Sequence, residues 1–147
     1  MTAPTRAVLR SRDALAYAAF VVAAGALLAV AASLQPSPSG IGTHEALGLP
    51  PCPVHALSGL PCPTCGMTTA FAHVARGQIV EGLRAQPLGA LLALALALGA
   101  LAAPALALAR VRPETLLDRL RGATPPLVAG AALVASWVYK IAAGPWE

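Results

Sequence analysis

LGALLALALALGALAAPALALA, residues 88–109, is the stretch that decides the fold class of this 147-residue chain. It contains 22 residues without one charged side chain and consists almost entirely of leucine, alanine and glycine. A helix rises about 1.5 Å per residue, so about 20 apolar residues are enough to cross a hydrocarbon core of about 30 Å. The stretch therefore predicts a transmembrane helix.

A second charge-free run, residues 14–34, lies nearer the N-terminus and has a similar length. Three arginines precede it, an arrangement shared by uncleaved anchors and secretory signal peptides. Ala29-Val30-Ala31 would serve as a signal cleavage site. Signal peptides, however, have shorter apolar cores of about 7–15 residues. The length of the run therefore favours an uncleaved transmembrane helix over residues 14–34.

A third apolar segment, residues 125–143, is also predicted to cross the membrane. It begins near Thr124, which can cap a helix, and the prolines that follow are tolerated in a first helical turn. Lys140 interrupts the run, but a lysine near a helix end can extend its ammonium group to the membrane interface. Nearby aromatic residues are typical of an interfacial belt: Trp137, Tyr139 and Trp146.

The composition also places the chain among membrane proteins. Hydrophobic residues make up 57% of the chain and charged residues 11%, against about 45–50% and about 25% in soluble domains. The net charge of +4 arises from ten basic and six acidic residues scattered around the apolar runs, which does not indicate nucleic-acid binding. The predicted partner is the lipid bilayer, with another membrane protein or a second copy of this chain as a further candidate.

The distribution of basic residues predicts the orientation. Seven arginines flank the apolar runs on one side, and only Arg76, Arg84 and Lys140 lie on the other. Cytoplasmic loops are richer in arginine and lysine, so the N-terminus is predicted to be cytoplasmic. The predicted all-α membrane protein has a cytoplasmic N-terminus (1–13), three transmembrane helices (14–34, 88–109 and 125–143), an extracytoplasmic Cys/His loop with a short interfacial helix (35–87), a cytoplasmic loop (110–124) and a tail (144–147).

One short pattern occurs twice in the loop of residues 35–87. Cys52-Pro53-Val54-His55 and Cys62-Pro63-Thr64-Cys65-Gly66 each place a proline directly after a cysteine and a second metal-ligand side chain three positions on. Two intervening residues allow a tight turn to bring both side chains to one centre. Three sulfurs and one imidazole suit tetrahedral zinc. The pattern therefore predicts a structural zinc ion bound by Cys52, His55, Cys62 and Cys65.

The residues around these ligands have predicted structural roles. Pro53 and Pro63 stiffen the backbone beside a cysteine. Gly59 allows the six-residue connection between the two pairs to double back. Gly66 can adopt a positive φ, which would let backbone N–H groups point at a thiolate. These four residues are therefore predicted to shape the site without binding the metal.

Other interpretations of the cysteines remain open. A disulfide between Cys62 and Cys65, a bridge from Cys52 to either of them, and buried unreactive thiols all fit the sequence. The Cys62/Cys65 pair would also suit a membrane thiol-disulfide oxidoreductase with Cys52 as a resolving thiol. Metal-assisted hydrolysis is disfavoured, because no His-x-Glu motif precedes the cysteines and four protein ligands would close the ion to a substrate. A non-catalytic role in interaction or assembly is therefore predicted.

A short helix is predicted over residues 67–76, ending at Gly77. It carries His73, which is expected to be a packed or interfacial side chain. His44 lies beside Glu45 in the loop and is expected to be solvated. Neither histidine is predicted to bind metal.

The stretch Cys52–Ala70, followed by Arg76-Gly77 and Gln86-Pro87, resembles small bacterial membrane proteins classed as domain of unknown function 2752, and the resemblance covers about residues 48–108. That family shows CPxxxLTGxxCPxCGxTRA, then a glycine, then Asn-Pro entering a membrane helix. In this chain Ser58, Thr69 and Gln86 replace the threonine, arginine and asparagine, so no role for a cation carries over to Thr69. The resemblance implies a bacterial plasma-membrane location but no activity. It also implies that four residues are functional: Cys52, Cys62, Cys65 and Gly66.

Overall fold

The computed structural model describes residues 11–123 and 126–144, and all regular secondary structure within these ranges is helical. The sequence-based statements about residues 1–10, 124–125 and 145–147 lie outside the described residues. One 3₁₀ helix is present at Thr43–Leu47. The α-helices are α1 (Ser11–Ser33), α2 (Pro53–Ser58), α3 (Met67–Ala75), α4 (Ile79–Ala85), α5 (Pro87–Leu108), α6 (Pro113–Ala123) and α7 (Pro126–Ala142).

Two of the described helices are long and apolar enough to cross a membrane: α1, with 23 residues, and α5, with 22. They lie close to the predicted runs 14–34 and 88–109. Only 17% of the most apolar 18-residue window of α1 and 11% of that of α5 is buried inside the protein. A helix that is apolar all round but not covered by protein needs an apolar medium, such as lipid, around it.

The prediction that residues 125–143 cross the membrane as a third transmembrane helix is wrong. Helix α7 forms there but has only 17 residues, so two candidate spans, not three, are found in the part of the chain that the structure describes. Ser136 and Lys140 are buried, whereas most other described side chains of α7 are exposed. Polar side chains buried in the protein shorten the apolar surface that this helix could offer to lipid.

Residues 34–86 form a cap on one end of the α1/α5 pair. The cap contains α2, α3, α4 and the 3₁₀ helix, where the sequence predicted only one short helix, close to α3. Helix α3 contacts α1, α4 and α5. The shared core is built mainly from small side chains: Ala70, Val74, Ala85, Ala90 and Ala93. Because these side chains are small, the helices approach closely, and a side chain at Gly89 would meet Met67 and Ala70 at 3.2 Å.

Helix α5 begins where the sequence supplies both a cap and a proline. Gln86 is fully buried, and its side-chain oxygen accepts a hydrogen bond from the Gly89 amide at 2.8 Å. Pro87 occupies the first turn of the helix, where a missing N–H costs nothing. Helix α5 therefore follows α4 directly, which fixes the cap to the helix pair.

The opposite end of the molecule joins the start of α1 to the end of α5. The Tyr17 hydroxyl donates a hydrogen bond to the carbonyl of Val111 at 3.1 Å. Helix α6, within the predicted loop 110–124, also contacts α1. Arg110 and Arg112 follow the last turn of α5 at this end, so they lie far from the cysteines of the cap.

Candidate metal centre

Helix α2 places Cys52 and His55. Cys52 is the N-cap residue, with extended backbone (φ −60°, ψ 119°), and Pro53 begins the helix. His55 lies one turn further on. The helix ends at Gly59, whose φ of 70° lies in the left-handed region that glycine adopts readily. The chain reverses there and returns toward Cys52.

A tight turn presents Cys62 and Cys65 together. The Cys65 amide donates a hydrogen bond to the Cys62 carbonyl at 3.0 Å. Gly66 follows as the N-cap residue of α3, with φ 87°. A Cβ atom at Gly66 would lie only 2.6 Å from the carbonyl oxygen of Gly40, so a side chain does not fit at this position. The close packing holds the turn against the loop that precedes the 3₁₀ helix.

Three thiols converge at this turn. The Sγ atoms of Cys52, Cys62 and Cys65 all lie within 4.8 Å of one another, and the three cysteines are free. The Sγ atoms of Cys62 and Cys65 are 2.9 Å apart. Two sulfurs bound to one zinc ion at about 2.3 Å would be about 3.8 Å apart in tetrahedral geometry. The three cysteines are therefore positioned to hold a metal ion after small side-chain rotations.

His55 is not part of this group of three, but it lines the same cavity. Its Nδ1 atom is buried and has no hydrogen-bond partner among the described residues. Buried polar nitrogens normally have a partner, so this atom has an unused capacity to bind. The structure thus brings three of the four predicted ligands together, and the fourth, His55, lines the same cavity outside the 4.8 Å group and has an unsatisfied nitrogen.

The thiols and His55 line a cavity of about 670 Å³ that opens to solvent. Hydroxyl groups line much of the remaining wall: Ser37, Ser39, Thr43, Thr64, Thr68 and Thr69. Thr43 and Thr69 are both buried, and their Oγ1 atoms are hydrogen-bonded at 2.8 Å. Ions and small polar molecules can therefore reach the cysteines from solution.

The two cysteines of the turn have opposite acidity. Burial acts to raise the pKa of Cys62, but hydrogen bonds with Cys65, Thr64 and Cys52 outweigh burial and lower this pKa to about 7. Burial and the hydrogen bond to Cys62 raise the pKa of Cys65 to about 12. The first proton of the pair therefore leaves Cys62, and the thiolate that forms is stabilised by the Cys65 thiol.

Side chains of helix α7 are hydrogen-bonded to the backbone around the Cys62–Gly66 turn. The indole N–H of Trp137 donates a hydrogen bond to the Pro61 carbonyl at 2.8 Å. Ser136 donates to the side-chain oxygen of Gln86 at 3.0 Å, and the Gln86 amide donates in turn to the Pro63 carbonyl at 3.2 Å. The residues on both sides of Cys62 are therefore tied to α7, directly or through Gln86.

Lys140 completes this contact with α7. Its ammonium group donates to the carbonyl oxygens of Gly40 at 2.9 Å and Ala85 at 2.7 Å. The expectation that the Lys140 ammonium extends to the membrane interface is therefore wrong, because the lysine is only 1% exposed. The interfacial position of Trp137 stays a prediction, and its indole binds the cap. The sequence does contain a signal, because Ser136 and Lys140 are one helical turn apart and polar residues within apolar helices usually face protein.

The other two histidines differ in their relation to the site. The Nδ1 atom of His73 is hydrogen-bonded to the side-chain oxygen of Gln78 at 2.8 Å, and His73 is not among the residues that line the cavity. His44 and Glu45, expected to be solvated, do line the cavity. The Nε2 atom of His44 is hydrogen-bonded to the Pro50 carbonyl at 3.1 Å. Its imidazole therefore already has a protein partner.

Comparison with known proteins identifies one similarity. Residues 52–100 match the family described as Protein of unknown function (DUF2752), which confirms the resemblance over a stretch that includes all three cysteines, α3, α4 and the first part of α5. No curated protein and no solved structure matches the chain. The matched family carries no stated activity, so the chemistry has to be inferred from the site itself.

Proposed function

We propose that this protein is an integral membrane protein of the bacterial plasma membrane whose cap binds one structural zinc ion. Cys52, Cys62, Cys65 and His55 are the proposed ligands. The observation that carries the proposal is the convergence of three thiol sulfurs within 4.8 Å of one another, in a cavity that is also lined by His55, whose buried Nδ1 atom has no partner among the described residues. Zinc prefers sulfur and nitrogen ligands in tetrahedral sites and would satisfy this nitrogen.

Zinc is favoured over the harder cations by the donor set. Thiolates and imidazole suit zinc, whereas magnesium and calcium prefer carboxylate and carbonyl oxygens. The proposed ligands come from α2 with its N-cap residue and from the turn before α3, two segments that the chain joins through residues 59–61. An ion bound to both would fix their relative position and thereby stiffen the outer surface of the cap.

The proposed role of this stiffened surface is interaction or assembly. Helix α2 and the residue after Gly59 expose apolar side chains beside the cysteines: Val54 is 49% exposed, Leu57 90% and Leu60 50%. Exposed apolar residues close together often mark a contact with lipid or protein. The proposed orientation, with the cap outside the cell, would offer this surface to another membrane protein or to a second copy of the chain.

Metal analysis of the purified protein tests the zinc proposal directly. We expect about one zinc per chain after purification in mild detergent without chelator, and three reactive thiols that appear only after chelation. A matched variant, Cys52→Ser, should lose most of the zinc while keeping Cys62 and Cys65. Zinc-free protein whose cysteines are unaffected by chelator would contradict the proposal.

A second candidate function is thiol-disulfide exchange, favoured by the separation of 2.9 Å between the Cys62 and Cys65 sulfurs. In such a reaction a Cys62–Cys65 disulfide would accept two electrons from a substrate dithiol, leaving two cysteine thiols and a substrate disulfide. The cavity would give the substrate access to Cys62. Isolation of the protein with a reducible Cys62–Cys65 bond and no metal would favour this function over zinc binding.

A further inference from the structure

The lysine of this chain has an unusual position. Ten residues are basic, but nine are arginines and Lys140 is the only lysine. Its side chain is 1% exposed, although it belongs to a helix whose described side chains are mostly exposed. Burying an ammonium group is costly unless nearby dipoles or charges compensate for the lost water. The groups that compensate for the lost hydration of the Lys140 ammonium therefore indicate the role of this residue.

Two of these groups are backbone carbonyls. The ammonium donates to Gly40 at 2.9 Å and to Ala85 at 2.7 Å, and it lies 3.0 Å from the position that a Cβ atom of Gly66 would occupy. A lysine ammonium is compact and has three donors, so it fits between two segments better than a planar guanidinium would. Lys140 is thus placed directly behind the residue that follows Cys65.

Lys140 is also close enough to Cys65 for the charge states of the two side chains to affect each other. Burial lowers the pKa of Lys140 to about 8, and a thiolate at Cys65, as in a metal-bound centre, acts in the opposite direction. The ammonium is therefore still charged at neutral pH, close to the thiol cluster. Three thiolates, one neutral imidazole and one divalent ion would together carry a net charge of −1. A buried cation beside that centre would balance it.

We propose that Lys140 supplies the counter-charge of the metal centre, so that metal binding in the cap and docking of α7 stabilise each other. This inference rests on the proposed zinc site and assigns a positioning and electrostatic role to a residue outside the ligand set. Charges interact more strongly when they are shielded from water, and Lys140 is almost completely shielded. The coupling is reciprocal: if α7 strengthens metal binding, the metal strengthens the docking of α7 by the same free energy.

Substitution of Lys140 tests the charge. Lys140→Met keeps a long side chain but removes the ammonium, and we expect zinc affinity to fall at least about tenfold in a competition titration of the full chain in detergent. The matched control is Tyr139→Phe, which removes an exposed hydroxyl contact of α7 with the Arg84 carbonyl at 3.5 Å but no charge. It should change the affinity by less than about threefold. Equal losses in the two variants would overturn the proposal.

The same substitution in a variant with a different ligand set distinguishes an electrostatic role of Lys140 from a packing role. His55→Cys makes the ligand set four thiolates, so the zinc-bound centre would carry a charge of −2. Lys140→Met should then weaken zinc binding by a larger factor than it does in the wild type, because the ammonium balances a larger charge. A purely structural lysine would give the same factor in both backgrounds, and that result would overturn the proposal.

The single lysine permits a test without any substitution. Lys140 carries the single side-chain amine of this sequence, so acetylation of a side-chain nitrogen reports on Lys140, and mass spectrometry distinguishes it from acetylation of the N-terminal amine. Zinc should slow acetylation of Lys140 at least about fivefold and leave the N-terminal amine unchanged. Equal rates at Lys140 with and without zinc would overturn the proposal. A wild-type protein that binds no zinc would instead refute the zinc site itself, and this inference with it.

Discussion

The indole nitrogen of Trp137 lies 2.8 Å from the carbonyl oxygen of Pro61, a hydrogen bond that joins residues 76 positions apart. The acceptor belongs to the residue directly before Cys62. One side chain of α7 thus sets the backbone position of a proposed metal ligand, although it does not line the cavity itself.

Trp137→Phe should loosen this turn while keeping an aromatic ring in place. We expect a loss of about 1 kcal/mol, the usual net contribution of one hydrogen bond, which corresponds to about a fivefold weaker zinc affinity if the turn alone carries the effect. A zinc competition titration measures the change. Tyr139→Phe is the control, because the Tyr139 hydroxyl makes only a long, exposed contact of 3.5 Å with Arg84. A similar loss in the control would argue against a specific role for Trp137.

Gly66→Ala should be strongly destabilising for two reasons. The backbone has φ 87°, and the new Cβ atom would lie 2.6 Å from the Gly40 oxygen and 3.0 Å from the Lys140 nitrogen. The expected cost is about 3 kcal/mol or more, seen as a lower Tm in detergent. Gly48→Ala is a matched control, since Gly48 has φ 77° but nothing within 4 Å of its added Cβ. It should cost only the backbone strain, and equal shifts in Tm would show that the close approach is relieved at little cost.

Alkylation of the metal-free, reduced protein should depend on pH. The pKa of Cys62 is lowered from 9.0 to about 7 by hydrogen bonds that outweigh burial, so the iodoacetamide reaction of this thiol should reach half its maximal rate near pH 7. Cys65, with its pKa raised to about 12, should stay unreactive over the same range. Peptide mapping after timed alkylation distinguishes the two cysteines. Half-maximal reaction of Cys62 near pH 9 would be the contrary result.

The same shift has a consequence for stability. Between pH 7 and 9 folded Cys62 has lost its proton, whereas unfolded Cys62 still holds it. The unfolded state therefore binds more protons, and the contribution of Cys62 to the free energy of unfolding rises with pH through this window. It is lost as the pH falls through about 7. Thr64→Ala removes a hydrogen bond that lowers the pKa of Cys62. The pH at which the contribution of Cys62 to the free energy of unfolding begins to rise should therefore increase.

His55→Ala separates the two candidate functions. If Nδ1 binds zinc, removing it should weaken zinc affinity at least about tenfold, whereas a Cys62–Cys65 redox pair should keep its reduction potential. His44→Ala is the control, because His44 lines the same cavity but is already hydrogen-bonded to Pro50. Metal analysis and a thiol-disulfide equilibrium with glutathione measure the two quantities. Unchanged zinc affinity in His55→Ala would remove the imidazole from the ligand set.

Local patterns predicted those parts of the molecule that depend on local sequence. The charge-free runs give α1 and α5 to within a few residues, because apolar length is a property of consecutive residues. The CPTC spacing indicates that Cys62 and Cys65 share a turn, since two intervening residues leave little other choice. Helix α3 was predicted to within one residue because Gly77 ends it.

Long-range contacts were not predictable in the same way. Lys140 lies 100 positions from Gly40 and 55 from Ala85, and nothing in its neighbouring residues specifies those carbonyls. A lysine near the end of a membrane helix normally extends its ammonium group to the membrane interface, and the sequence predicted this position for Lys140. The tertiary fold overrides that preference by offering two carbonyl oxygens close together. The bounds predicted for α7 are right to within one residue at each end, but the prediction that it crosses the membrane places Lys140 at the interface, whereas the lysine is buried against the cap.

The hydrogen bond from Trp137 to Pro61 also sets an order of events during biosynthesis. A ribosome adds about 5–20 residues each second, so the 76 positions between the two partners correspond to about 4–15 s of translation. During this interval the cysteine turn exists without the indole, the hydroxyl of Ser136 or the ammonium that later hold it. Mature metal affinity should therefore arise only after the last helix has been made, and a nascent chain arrested before that point should release the ion more readily than the finished protein.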